Sequence, residues 1–232
     1  MPADDGAPVT ASSGVAAEVR APKAAQGGEA VGYAVVNDAP VGDVATVAVT
    51  GLGRSGTTMI ARVLRALDVP MPGETTPQTC EDAAMVSLLR AGDLEGAERL
   101  VAARNAASRV WAFKAPVLRG HLAWAERTLR APRFVLTWRD PLAIAQRNQL
   151  ALDADLSDSL RLAGKGLAVM AKDASVLRAP TLLVSYEKAV MRPDRLVDAL
   201  SAFLGLSPSD EALARAAAEI RPGDPRYMGA TA

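Results

Sequence analysis

Apolar positions along the chain follow two alternating periods, one typical of buried strands and one typical of amphipathic helices. Short runs rich in β-branched and aromatic residues predict strands, at 44–50, 109–114, 133–138 and 181–184. Apolar residues spaced three and four apart predict helices between them, at 57–67, at 82–107 with a break near Gly92 and Asp93, at 117–129, from Pro141 onward, and at 156–177, 196–204 and 210–220. Strands that alternate with helices are typical of βαβ units. The pattern therefore predicts an α/β domain with a doubly wound parallel sheet.

The N-terminal part of the chain differs from the rest in its amino-acid composition. Residues 1–40 are rich in Ala, Gly, Pro and Ser and hold few large apolar side chains. Such a composition cannot bury enough surface to offset the entropy lost on ordering. We therefore expect residues 1–40 to be a disordered or weakly ordered tail, and residues 41–232 to form the domain. Within the tail, Tyr33–Val36 is apolar enough to add an edge strand.

Composition and charge narrow the classes of function. The formal net charge is zero, from 26 Lys+Arg against 26 Asp+Glu, which argues against a nucleic-acid-binding domain. Cys80 is the single cysteine, which excludes an intrachain disulfide and a multi-Cys zinc site. His121 is the single histidine, which excludes a His-rich metal site. No signal peptide is visible, and no apolar run approaches the roughly 20 residues of a membrane span. We expect a cytoplasmic protein whose chemistry rests mainly on Arg, Lys, acidic and hydroxyl side chains.

The glycine-rich segment 51–58 is the most informative stretch of the chain. It lies between a buried-type strand and a helix, where glycines and the helix N-terminus direct N–H groups toward an anion. Arg54 adds a fixed cation, and hydroxyl donors come from Ser55, Thr57 and Thr58. The spacing matches an ATP-type P-loop, except that Thr57 stands where a Lys should follow Gly56. The segment therefore suits a 5′-phosphosulfate better than a triphosphate with Mg²⁺, and we expect no metal requirement.

Three segments resemble the sulfotransferases that use 3′-phosphoadenosine 5′-phosphosulfate (PAPS). Residues 54–58, Arg-Ser-Gly-Thr-Thr, resemble the family's first loop motif, and residues 134–141 resemble its apolar strand that ends in Arg, Asp and Pro. Residues 184–206 resemble its Tyr-Glu segment and the helix that ends in Phe-Leu-Gly-Leu. The resemblance implies a three-layer P-loop fold with a central parallel β-sheet flanked by helices. It also implies PAPS as co-substrate, with 3′-phosphoadenosine 5′-phosphate (PAP) as product.

The same resemblance implies a nucleotide site. Its residues in this chain are Gly53, Arg54, Ser55, Gly56, Thr57, Thr58, Arg139, Arg147 and Tyr186. Tyr186 either contacts the nucleotide, as its counterpart does in the family, or packs on the sheet. The family's counterpart of Arg139 binds the 3′-phosphate of the nucleotide. Eight residues later the family usually has Ser, where this chain has Arg147. Arg147 either reaches a phosphate as a charge-assisted donor or is a solvated helix residue.

Catalytic positions follow from the tyrosylprotein and bacterial branch, which the Arg-type loop resembles more closely than the cytosolic branch. Arg54 is expected to stabilise developing charge, and Lys114 ends the second predicted strand at the same sheet edge. The tyrosylprotein enzymes carry Gly-Glu-Glu after the first helix, and their second Glu is the base. This chain has Thr75 at that position and Glu74 one residue earlier. Glu74 is therefore the predicted base, provided that the loop shifts by one residue.

We predict a sulfotransferase that moves a sulfuryl group from PAPS to a hydroxyl or amine by in-line displacement. The acceptor is a small molecule, a glycan or a peptide, with no nucleic acid and no membrane span involved. Residues 80–107 are expected to cover the acceptor side of the site.

Two alternatives to a sulfotransferase stay open. One is a P-loop kinase of a small acceptor, which the missing Lys disfavours, and the other is a non-catalytic nucleotide-binding relative, which Thr75 and Arg147 would suit.

Overall fold

The centre of the protein is a five-stranded sheet. The computed structural model describes residues 32–76 and 78–221. The strands are β1 (Tyr33–Val36), β2 (Ala45–Gly51), β3 (Val110–Lys114), β4 (Pro132–Trp138) and β5 (Thr181–Ser185), in the spatial order β1-β5-β4-β2-β3. Four of them, β2 to β5, pair in parallel, whereas β1 runs antiparallel to β5. The predicted α/β class is confirmed, and the sheet is mixed at one edge rather than wholly parallel.

Strand β1 lies within the segment whose composition predicts a tail. Tyr33 pairs with Val184 and Val36 pairs with Thr181, which confirms the predicted edge strand. An apolar β-branched segment gains ladder hydrogen bonds there and covers the otherwise exposed edge of β5. The ordered sheet therefore begins before residue 41. The rest of the predicted tail, residues 1–31, lies outside the described residues.

Nine helices accompany the sheet in the described part of the chain. They are α1 (Thr57–Ala66), α2 (Ala83–Ala91), α3 (Leu94–Ala107), α4 (Leu122–Thr128), α5 (Pro141–Leu152), α6 (Leu156–Val176), α7 (Tyr186–Met191), α8 (Pro193–Leu204) and α9 (Asp210–Ala218). The side chains of Asp140, Asp155 and Ser209 cap α5, α6 and α9, since each accepts a first-turn N–H. In residues 32–76 and 78–221, no helix has both the length and the apolar character that crossing a membrane requires.

One predicted helix is wrong in its extent. Periodicity predicts a single helix over 117–129, but the structure has a 3₁₀ helix at Pro116–Gly120 followed by α4. His121 separates the two with a φ of −132°, directly after Gly120, whose backbone freedom weakens a continuous helix. The side chain of His121 is half-buried at this break.

Alternating residues of β2 bury two separate cores, one on each face of the sheet. Val47 and Val49 belong to a cluster built with α1, α8 and α9, whereas Ala48 belongs to a cluster built with α2, α3 and α4. All seven residues of β2 are buried, as expected of a central parallel strand covered on both sides. The architecture is therefore three-layered, with helices on both faces of the sheet.

Candidate functional site

The loop after β2 lies at the carboxyl edge of the sheet. Because β3 and β4 flank β2 in parallel, Lys114 at the end of β3 and Arg139 directly after β4 lie at the same edge, where open α/β sheets bind ligands. Arg54 and Gly56 in the loop have left-handed φ values of 69° and 102°. Helix α1 begins directly after Gly56, at Thr57. Its first turn, with the N–H groups that have no partner within the helix, therefore borders the loop.

Arg139, directly after β4, contacts both the loop after β2 and the residues that follow β5. Its Nη1 donates a hydrogen bond to the carbonyl of Arg54 at 2.9 Å, and its guanidinium lies 4.3 Å from the ring centroid of Tyr186. The side chain is 16% exposed, and its Nε is 3.8 Å from the carboxylate of Glu187. Among the described atoms, this buried Nε has no hydrogen-bond partner. The guanidinium is thus held in place with hydrogen-bonding capacity left over.

Tyr186 packs directly on the glycine of the loop. A Cβ at Gly56 would lie 2.5 Å from Cδ2 of the Tyr186 ring, closer than any real contact. The close approach and the positive φ both require glycine here. The tyrosine ring, the loop and Arg139 therefore form one packed unit.

We expect Gly56→Ala to destabilise the fold by about 1–3 kcal/mol, because it forces a strained backbone and displaces the Tyr186 ring. Gly53→Ala in the same loop is the matched control, since a Cβ at Gly53 has no atom within 4 Å. Urea denaturation measures both. Equal stabilities of the two variants would contradict the packing of Tyr186 on the loop.

A pocket opens at the first turn of α1. Seven of the nine predicted nucleotide-binding residues line it, and the full lining is Arg54, Gly56, Thr57, Thr58, Met59, Arg62, Arg139, Arg147, Tyr186, Glu219 and Arg221. The lining has five arginines and one carboxylate, so its charge is strongly positive although the whole chain is neutral. Such a pocket, next to a helix N-terminus, has the electrostatics of an anion site.

Two predicted residues lie elsewhere. Gly53 is exposed and does not line the pocket. Ser55 is fully buried, and its hydroxyl shares a 2.7 Å hydrogen bond with Thr137 Oγ1 on β4. Ser55 therefore connects the loop to the sheet. Its hydroxyl has a partner within the protein, whichever of the two atoms is the donor.

Sequence reasoning missed four of the lining residues: Met59, Arg62, Glu219 and Arg221. For Arg62 a signal existed, because it follows Thr58 by four residues and so shares a helix face with it. Glu219 and Arg221 come from the end of α9, which packs against α1. No local pattern indicates that the last helix returns to the first.

Lys114 is buried and held by the loop between α1 and α2. Its Nζ donates to the carbonyl of Thr79 at 3.0 Å and to the carboxylate of Glu81 at 2.9 Å. Burial lowers the pKa of Lys114 below its ordinary value of 10.5, against the opposing effect of Glu81. The nearby charge of Arg54 lowers that pKa further. The Thr79 carbonyl also accepts from Thr58 Oγ1 at 3.1 Å, so one carbonyl joins Lys114 to the start of α1.

We expect the unfolding free energy of the wild type, relative to that of Lys114→Met, to rise with pH between the lowered pKa of Lys114 and 10.5. In that window the unfolded chain still holds a proton that the folded chain has released, so higher pH favours folding. Below the window both states hold the proton, and the difference does not change. Urea denaturation from neutral pH to pH 10.5 measures this difference. A difference that fell with rising pH would contradict the burial of the ammonium group.

The predicted base, Glu74, is exposed on the loop between α1 and α2 and does not line the pocket. Its carbonyl accepts a hydrogen bond from Ala83 N at 3.1 Å. The neighbouring Thr75 accepts a hydrogen bond from Arg65. Glu81, which sequence reasoning did not single out, is the carboxylate that contacts Lys114. Its position next to Lys114 follows from tertiary packing, since 33 residues separate the two.

A buried ion pair fixes the far end of the same loop. Two nitrogens of Arg104 donate to the carboxylate of Asp82, with side chains 7% and 2% exposed. The guanidinium of Arg104 also lies over the Trp111 ring, 5.3 Å from its centroid. Asp82 N in turn donates to the carbonyl of Lys114 at 3.0 Å. The pair therefore sets the position of the loop relative to β3.

Two solved structures share this architecture. The sulfotransferase domain of the olefin synthase of Synechococcus PCC 7002 superposes with a TM-score of 0.55 at 20% identity, covering 85% of this chain and 84% of that one. The sulfotransferase domain of the curacin biosynthetic pathway superposes with a TM-score of 0.52 at 13% identity, covering 83% of this chain and 88% of that one. The chain has the sulfotransferase fold. No protein-family model and no curated protein sequence matches it.

The sulfotransferase fold confirms the expected architecture. Structural similarity at such low identity indicates a shared fold and not a shared reaction. The reaction depends on the residues of the pocket.

Proposed function

We propose that the protein is a PAPS-dependent sulfotransferase that transfers a sulfuryl group to a hydroxyl or amine acceptor. The observation that carries this proposal is the arginine-rich pocket at the first turn of α1, in a sulfotransferase fold. Guanidinium groups bind phosphate and sulfate oxygens through paired hydrogen bonds. Five of them around one helix N-terminus suit a small donor that carries several anionic groups.

The pocket residues fit the two anionic ends of such a donor. Arg139 lines the pocket, and Tyr186 and the Arg54 carbonyl hold its guanidinium in place, which suits a phosphate ligand. We assign the 3′-phosphate to Arg139, with Arg147 beside it, and the 5′-phosphosulfate to Arg54 and the N–H groups of residues 56–58. Bound there, the donor supplies the sulfuryl group.

Proton and charge handling are assigned to residues around the loop. Arg54 and the α1 N–H groups stabilise negative charge that grows on the leaving oxygen. Lys114 adds a buried cation near Arg54, whose charge contributes to the lowered pKa of Lys114. A carboxylate accepts the acceptor's proton as the acceptor oxygen or nitrogen bonds to sulfur, while the bond from sulfur to the 5′-phosphate oxygen breaks and PAP leaves. Glu74 stays the predicted base, and Glu81 is the second candidate because its carboxylate already contacts Lys114.

The direct test is transfer of labelled sulfate from PAPS to a panel of phenol, sugar and hydroxyl-bearing peptide acceptors. We expect transfer by the wild type without added metal, and a loss of about 10²–10³-fold in kcat for Arg54→Ala. Arg127→Ala, which changes an exposed arginine on α4 outside the pocket, should leave the rate unchanged. Phosphate transfer from ATP would instead indicate the kinase. Thermal stabilisation by PAP without any transfer would indicate a non-catalytic binder.

The base is tested separately with Glu74→Gln and Glu81→Gln. The variant that removes the base should lose about 10²–10⁴-fold in kcat, since general-base catalysis contributes that much. PAP affinity should stay at the wild-type value in both. If kcat survives in both variants, the base is not a carboxylate of this loop.

A further inference from the structure

Large apolar side chains that face water are concentrated on two neighbouring helices, α5 and α6. In the described residues these are Leu142, Leu150, Leu152, Leu160, Leu162, Val169 and Val176, and elsewhere only Val41 and Met191 are comparable. Helix α5 packs against α6, and beneath them lies a small cluster of Leu52, Ile144 and Ala163. Isolated exposed apolar residues are ordinary on a monomer, but a concentration on one helix pair indicates a contact surface.

Three of these residues form a straight stripe along α6. Leu162, Val169 and Val176 are spaced seven residues apart and are 57%, 50% and 69% exposed. Seven residues are about two turns, so the three side chains lie on one face of the helix. The buried residues of α6, Ser159, Ala163 and Met170, lie on a different face. A seven-residue apolar repeat is the pattern by which one helix packs along another.

We propose that α6 pairs antiparallel with α6 of a second copy of this chain, about a two-fold axis at Val169. A two-fold contact must be self-complementary, so residues equally distant from the axis meet. Val169 then contacts Val169 of the second copy. Leu162 and Val176 stand seven residues on either side of Val169. Leu162 of each copy therefore contacts Val176 of the other copy.

The charges beside the stripe favour the second copy as the partner. Lys165 and Asp173 stand four residues on either side of Val169, on the same face of α6. The antiparallel register therefore places Lys165 opposite Asp173 of the second copy, twice. A parallel pairing would place Lys165 against Lys165 and Asp173 against Asp173, and like charges in contact oppose association. The apolar stripe, Lys165 and Asp173 are thus complementary to the same helix reversed. The third charge on this face, the exposed Lys172, stands opposite Gly166 of the second copy.

Cysteine cross-linking of the full chain tests this register. Val169→Cys should form an intermolecular disulfide under mild oxidation, because the residue meets itself at the axis. Leu162→Cys alone should not, since its copies would be separated by fourteen residues of helix, about 21 Å, far beyond disulfide reach. Leu162→Cys combined with Val176→Cys should cross-link. The natural Cys80 is buried, which leaves a low background. Efficient cross-linking of Leu162→Cys alone, or none for Val169→Cys, would overturn the proposal.

Sedimentation of the uncross-linked protein provides the second test. The wild type should form a dimer in a concentration-dependent way, and Val169→Asp should be monomeric. Ala171→Asp, at an exposed position on the other side of α6, is the control and should leave the dimer intact. Lys165→Glu and Asp173→Lys should each weaken dimerisation about tenfold, and the double variant should restore it. A wild type that is monomeric at every concentration would refute the second copy as occupant.

Discussion

PAP should bind about 10²–10³-fold more weakly to Arg139→Ala than to the wild type. Hydrogen bonds between charged groups contribute about 1.5–3 kcal/mol each, and the variant loses those to the phosphate that we assign to this arginine. It also releases the Arg54 carbonyl, which Arg139 holds at 2.9 Å, so the loop loses a restraint. Isothermal titration calorimetry with PAP measures the loss.

A second variant separates charge from geometry at this position, and a third, at another arginine, is the control. Arg139→Lys keeps the charge but lacks the planar group that lies over Tyr186, so its affinity should fall between those of the wild type and Arg139→Ala. Arg119→Ala removes an exposed arginine outside the pocket and should bind PAP normally. Unchanged affinity in Arg139→Ala would show that the nucleotide does not bind at this pocket.

Asp82→Asn should lower the free energy of unfolding by about 3–5 kcal/mol, because it leaves the buried guanidinium of Arg104 without its counter-charge. The amide keeps the shape of the carboxylate and an oxygen that can still accept from Met85 N, the cap of α2. The change therefore isolates the ion pair from the helix cap. Urea denaturation measures the loss.

An exposed ion pair in the same protein provides the control. Asp43 contacts Arg109 at 2.8 Å, but both side chains are largely exposed, so Asp43→Asn should change stability little. If Asp82→Asn and Asp43→Asn had the same small effect, the Arg104 pair would not be what holds the end of this loop.

The alternation of strands and helices was predictable because each central strand is buried on both faces. Such strands appear in the sequence as runs of apolar residues broken only by Thr, as 44–50 and 134–138 do. The break at His121 was not predictable from periodicity, since both helical segments keep apolar residues on the buried side. The antiparallel direction of β1 was not predictable either, because β1 pairs with β5, which lies far from it in the chain.

The candidate site was predictable where a motif is local. Arg54, Gly56, Thr57 and Thr58 are consecutive or nearly so, and they reach one pocket because a strand, a tight loop and a helix follow one another. Ser55 belongs to the same motif, yet its hydroxyl bonds to Thr137 on a neighbouring strand. A local motif specifies which residues approach the site but not which way each side chain turns.

The sequence by itself determined the fold class, the loop at the start of α1 and the arginine after β4. These depend on local periodicity and on the edge that parallel strands share. Only the tertiary structure decided that Glu219 and Arg221 join the pocket, that Lys114 pairs with Glu81, and which side of α6 faces water. Contacts of this kind join segments far apart in the chain, and they exist only once packing has brought those segments together.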